Sequence, residues 1–128
     1  MLSGDFFDLQ SFTCDDCEVA RQNCTAIVTL NVNHPIYNGH FPDNPVVPGV
    51  CQIQMVKELA EKAVNQPLNL KESDNVKFLL MISPVQNPYL EINLIIQHVT
   101  EKLISVTASI ASGASVFLKF KGKFEFAD

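Results

Sequence analysis

One stretch of this chain carries a helical period, residues 50–64, and it stands among segments that alternate. Val50, Ile53, Val56, Leu59 and Ala63 recur at steps of three and four with strong helix formers between them, which predicts a helix with one apolar stripe. Pro48-Gly49 precedes it, where a helix start tolerates proline, and Asn65-Gln66-Pro67 ends it, because proline cannot continue the ladder. A lone helix cannot bury its own stripe, so the rest of the chain must cover it. Residues 24–32 place Cys24, Ala26, Val28, Leu30 and Val32 on one side, the pattern of a half-buried strand. Residues 76–82, 90–100, 103–111 and 114–126 read as further strands, and residues 5–12 fit either a strand or a short helix. The breaks at residues 84–88, 101–102 and 112–113 are short, which favours antiparallel neighbours. The expectation is a single domain over residues 1–128, of α+β class, with an antiparallel sheet around one long helix.

Apolar residues make up 47% of the chain and charged residues 18%, enough for a core that needs neither disulfides nor metal. A formal charge of −5 argues against a nucleic-acid partner, since phosphate binding draws on clustered Lys and Arg. Lys119, Lys121 and Lys123 alternate and so share one strand face, expected to be solvated, with a small basic patch as the alternative. The N-terminal residues lack a basic segment followed by an apolar run, and no stretch of ~18 apolar residues occurs, so a cytoplasmic protein with no membrane span is expected. There Cys14, Cys17, Cys24 and Cys51 are expected to be reduced thiols. Cys14 and Cys17 have C-x-x-C spacing, but the second ligand pair of a zinc site is missing and no βαβ pattern surrounds them, so no metal is expected.

Between the first alternating strand and the helix, residues 33–49 hold four of the seven prolines. Pro42, Pro45 and Pro48 fix φ at every third residue, which makes an ordered loop rather than a linker. Within it His40 stands nine residues before Gly49 at the helix start. A helix N-terminus presents unpaired N–H groups, and glycine lets a carbonyl approach them closely. A thioester carbonyl held there has its α-proton acidified, because charge developing on oxygen meets fixed donors. His40, whose imidazole titrates near neutral pH, is a candidate to take that proton.

The segment Gly39-His40-Phe41-Pro42-Asp43-Asn44-Pro45-Val46-Val47-Pro48-Gly49-Val50 closely resembles the signature of bacterial 3-hydroxyacyl-acyl-carrier-protein dehydratases. The resemblance implies a hotdog fold, and the order of strand, proline-rich loop, long helix and later strands agrees with it. It implies that His40 acts on the substrate, that the Gly49 N–H meets the thioester carbonyl, and that a helix carboxylate from the partner subunit completes each of two shared sites. Here that last position is Gln54, an amide that can hydrogen-bond but not protonate a departing hydroxyl. Glu58, one turn further on, is the substitute acid to test, with Glu61 a turn beyond. Alternatively both belong to a wet helix face with Lys57 and Lys62. Phe41, Pro48, Val50, Cys51 and Glu58 are the expected substrate-lining residues, and Gln52 is a further candidate. His98 is expected in the core or an interface, and His34 at a strand end.

Three readings follow. The first is a dehydratase that forms a trans-2-enoyl thioester on acyl carrier protein, without a dissociable cofactor, as a homodimer or assembly of dimers. The second is an acyl-thioester-binding protein that pairs with an active partner. The third is a thioesterase on the same fold, which needs a water-activating carboxylate near the helix, with Glu58 the nominee.

Overall fold

The computed structural model describes residues 2–15, 21–38 and 44–127. Helix α1 spans Gly49–Val64, and six strands accompany it: β1 Phe7–Cys14, β2 Arg21–Leu30, β3 Leu68–Phe78, β4 Tyr89–His98, β5 Leu103–Ser112 and β6 Ser115–Phe126. They form one antiparallel sheet in the order β1-β2-β4-β5-β6-β3. This is the hotdog arrangement that the sequence leads one to expect. Alternation puts Ala26, Val28, Ile92, Leu94, Val106 and Phe120 on the face that shares one buried cluster with Met55, Val56, Leu59 and Ala60 of α1. Each such Val, Leu, Ile or Phe contributes about 1.5–3 kcal/mol by leaving water, so helix and sheet stand or fall together. The helix ends where Asn65 takes a left-handed φ of 55° and donates its N–H to the Glu61 carbonyl, just before Pro67.

Three expectations are corrected. The buried stripe of α1 is Cys51, Met55, Val56, Leu59 and Ala60, not the one beginning at Val50, which is 78% exposed. Both stripes share Val56 and Leu59, and periodicity alone does not say which flank meets the sheet. The strand expected at residues 76–82 instead begins at Leu68 and ends at Phe78. β3 is an edge strand, mostly exposed and with two register shifts against β6, so it lacks the apolar alternation that would have marked it. Cys14 and Cys24 are joined as a disulfide rather than being free thiols, because the β1–β2 register sets them opposite each other with Cα atoms 4.1 Å apart.

Gly122 lies inside β6, and a Cβ there would sit 2.7 Å from the Phe120 ring and 2.9 Å from the Glu72 carbonyl oxygen of β3. The backbone oxygen cannot swing away as a side chain does. Gly122→Ala is therefore expected to destabilise the fold by about 1–3 kcal/mol, read as a lower urea midpoint with unchanged slope. An unchanged midpoint contradicts the close β3–β6 approach.

Candidate active site

The proline-rich loop delivers the chain to α1 through Pro48, whose extended backbone (φ −60°, ψ 146°) serves as the helix cap. The Pro48 carbonyl accepts from the N–H groups of Cys51 (3.0 Å) and Gln52 (3.1 Å). None of the described residues accepts from the N–H of Gly49 or Val50, so both donors remain open at the positive end of the helix. The Val47 N–H donates to the Ile82 carbonyl (2.9 Å), which pins the end of the loop to the segment after β3.

At Gly49 an added Cβ would stand 2.8 Å from Cζ of Phe78, so the Phe78 ring would have to shift to admit a side chain. Phe78 and the following Leu80 and Met81 flank a groove of about 370 Å³ that Gly49, Val47 and Gln52 also line. Residues 78–81 are 47% to 80% exposed, four consecutive apolar residues open to solvent. Gln52 is buried, its Nε2 donates to the Val47 carbonyl (3.3 Å), and its Oε1 has no partner among the described residues.

Gln54 opens onto a different groove, of about 340 Å³, lined with it by Val50, Ile53, Lys57, Leu70 and Phe124. The Gln54 Nε2 donates to Glu58 Oε2 at 2.9 Å. Glu58 is buried rather than part of a wet face, and its carboxylate also accepts the N–H groups of Leu2 and Ser3. Glu61 likewise ties down chain, accepting the Leu68 N–H (2.9 Å) where β3 begins. Cys51 turns into the core and lines neither groove, and burial pushes its thiol up from its ordinary value, away from the reactive thiolate. Burial also pushes the neighbouring Tyr37 phenol well up, with the Cys51 charge adding to it, and its hydroxyl has no partner among the described residues.

His40 and Phe41 lie outside the described residues, as does Cys17. His34 sits at the end of the β2 connection, where its Nδ1 accepts the Ile36 N–H and its Nε2 donates to Asp5. His98 is exposed at the end of β4 and stacks on Phe126, so it is not a core residue. Lys123 pairs with Asp74 (3.0 Å), whose carboxyl that bond holds down, while Lys119, Lys121 and Lys77 line a shallow groove of the outer sheet face. No group of three or more His, Cys, Asp or Glu suited to a metal occurs among the described residues. No described helix is long and apolar enough to cross a membrane.

Two features were not foreseen. Phe78 was hidden in an apolar run that reads as a strand, and the tie from Leu2 and Ser3 to Glu58 spans more than fifty residues, with no local signal.

Comparison with known proteins agrees with this layout. The family described as ApeI-like, ApeI dehydratase, matches residues 16–116. The 3-hydroxyacyl-acyl-carrier-protein dehydratase FabZ of Coxiella burnetii is 31% identical over 87 residues, which is 60% of this chain and 61% of that protein. The chain thus spans about three-fifths of the length of the first curated relatives it matches. Among solved structures, the dehydratase heterocomplex ApeI:P from Xenorhabdus doucetiae superposes with a TM-score of 0.64 at 18% identity, covering 92% of this chain and 96% of that one. A thioesterase from Staphylococcus aureus superposes at 0.57 with 11% identity, over 91% and 93%. At these identities the structural likenesses establish the fold alone.

Proposed function

The chain belongs to the ApeI-like dehydratase family, and from that premise we propose that it removes water reversibly from a 3-hydroxyacyl thioester, giving a trans-2-enoyl thioester. The substrate is carried on the phosphopantetheine arm of acyl carrier protein, in fatty-acid or polyene synthesis. The observation that carries this reading is the helix start, where Gly49, whose N–H has no acceptor among the described residues, lines an apolar groove. A thioester oxygen placed there meets preorganised donors as it gains charge. His40 takes the α-proton, and Gln54 of the partner subunit borders the β-hydroxyl. Phe41, Pro48 and Val50 line the acyl chain.

The division of labour between subunits has two supports. Within one chain Gly49 and Gln54 line separate grooves, so one subunit does not assemble both on one ligand. β3 is an open edge next to exposed Leu70, Phe78, Leu79, Leu80 and Met81, a surface suited to a second copy. Sedimentation at micromolar concentration is expected to give at least twice the 14.2 kDa chain mass, and a stable 14.2 kDa species contradicts the shared site. The protein is placed in the cytoplasm.

Gln54 favours a second reading, in which the chain binds acyl thioesters and leaves the chemistry to a partner. A purified sample incubated with crotonyl- and longer 3-hydroxyacyl-carrier-protein separates the readings. Hydration or dehydration marks the enzyme, binding without conversion marks the partner-dependent module, and release of free thiol marks a thioesterase.

A further inference from the structure

Glu58 follows Gln54 by one turn of α1 and is held from two sides. The Leu2 N–H donates to both of its carboxylate oxygens (3.0 and 2.8 Å) and the Ser3 N–H to Oε1 (2.9 Å). On the other side the Gln54 Nε2 donates to Oε2 (2.9 Å). Among the described residues every partner of this carboxylate is an N–H donor. Were the Gln54 amide turned over, its oxygen would face the carboxylate oxygen with no proton between them. The amide therefore has one orientation, and its Oε1, which accepts from none of the described residues, is the atom left for a ligand in the groove beside Val50, Ile53 and Lys57.

We propose that Glu58 is a positioning residue that fixes Gln54 as a hydrogen-bond acceptor toward carbon 3 of the acyl chain, so that the site selects 3-hydroxyacyl over 3-oxoacyl groups. This rests on the reading that Gln54 borders that carbon. A 3-hydroxyl can donate to the Gln54 oxygen. A 3-oxo group is itself only an acceptor and meets that oxygen with no proton to share, leaving two desolvated acceptors face to face.

The test uses amides of pantetheine bearing 3-hydroxyacyl or 3-oxoacyl chains of matched length; nitrogen in place of the thioester sulphur weakens the α-proton of the hydroxyacyl ligand so that it is not dehydrated, and the oxoacyl ligand has no hydroxyl to lose. Isothermal titration of the wild-type protein is expected to show about tenfold or greater preference for the hydroxyl. In Glu58→Gln the new side-chain oxygen still accepts from Leu2 and Ser3, while its nitrogen donates to Gln54 and turns that amide over. The preference is then expected to vanish or reverse toward the ketone. Gln54→Ala leaves the tie to Leu2 and Ser3 in place and is expected to abolish the preference, and adding Glu58→Gln to it should change nothing further. A wild-type preference that survives in Glu58→Gln overturns the proposal, as do losses that add in the double variant. Equal binding of both amides by the wild type sinks the positioning role alone, whereas binding of neither sinks the site reading beneath it.

Discussion

Gln54→Glu is expected to raise the rate of dehydration by about 10²–10⁴-fold, the range ascribed to general acid catalysis. The wild-type amide can hold a hydroxyl but cannot hand it a proton, so water leaves unassisted. The substitution places a second carboxyl where the Gln54 nitrogen now lies 2.9 Å from Glu58 Oε2. Two carboxylates at that separation cannot both ionise, and one proton is retained between them. Of the pair, the introduced carboxyl is the member that borders the groove, so the retained proton lies within reach of a ligand there. Initial rates with a 3-hydroxyacyl-carrier-protein substrate check this directly. If the wild type already turns over briskly and the variant matches it, the acid resides elsewhere and glutamine is compatible with the mechanism.

His40→Ala is expected to remove dehydration from both the wild-type and the Gln54→Glu backgrounds, a loss of about 10²–10⁴-fold or to the limit of detection. Without the imidazole nothing in the site takes the α-proton, and a better acid does not compensate, since elimination needs both proton transfers. Ligand binding is expected to persist, because Gly49 and the described residues that line its groove are left unchanged. Activity that survives His40→Ala in either background moves the base to another residue.

Much of the fold was legible in the chain because its signals are local. The apolar steps of α1, the proline before it and the Asn-Gln-Pro after it mark the helix within a residue of Gly49–Val64, and the alternation of β2, β4, β5 and β6 marks four strands. β3 was misplaced because an edge strand exposed on both faces has no buried side to alternate with, while the apolar residues that follow it cover a groove rather than the sheet. The Cys14–Cys24 pair and the burial of Glu58 depend on register and on the N-terminal segment folding back, neither of which residue spacing reveals. That Gly49 opens the helix was legible because the Pro-Gly pair directly precedes the apolar steps in sequence. The separation of Gly49 and Gln54 into two grooves is a property of the surface that α1 leaves uncovered, visible only once the sheet is in place.

The central claim, an acyl-thioester site in which His40 exchanges a proton with the α-carbon, is tested most directly by hydrating a crotonyl thioester of acyl carrier protein in deuterium oxide. The account predicts that the wild-type protein, slowly, and Gln54→Glu, faster, form a 3-hydroxyacyl thioester with one deuterium at the α-carbon, and that His40→Ala forms none. Release of free thiol with an unlabelled acid, or no conversion by either the wild type or Gln54→Glu while both still bind the substrate, contradicts it.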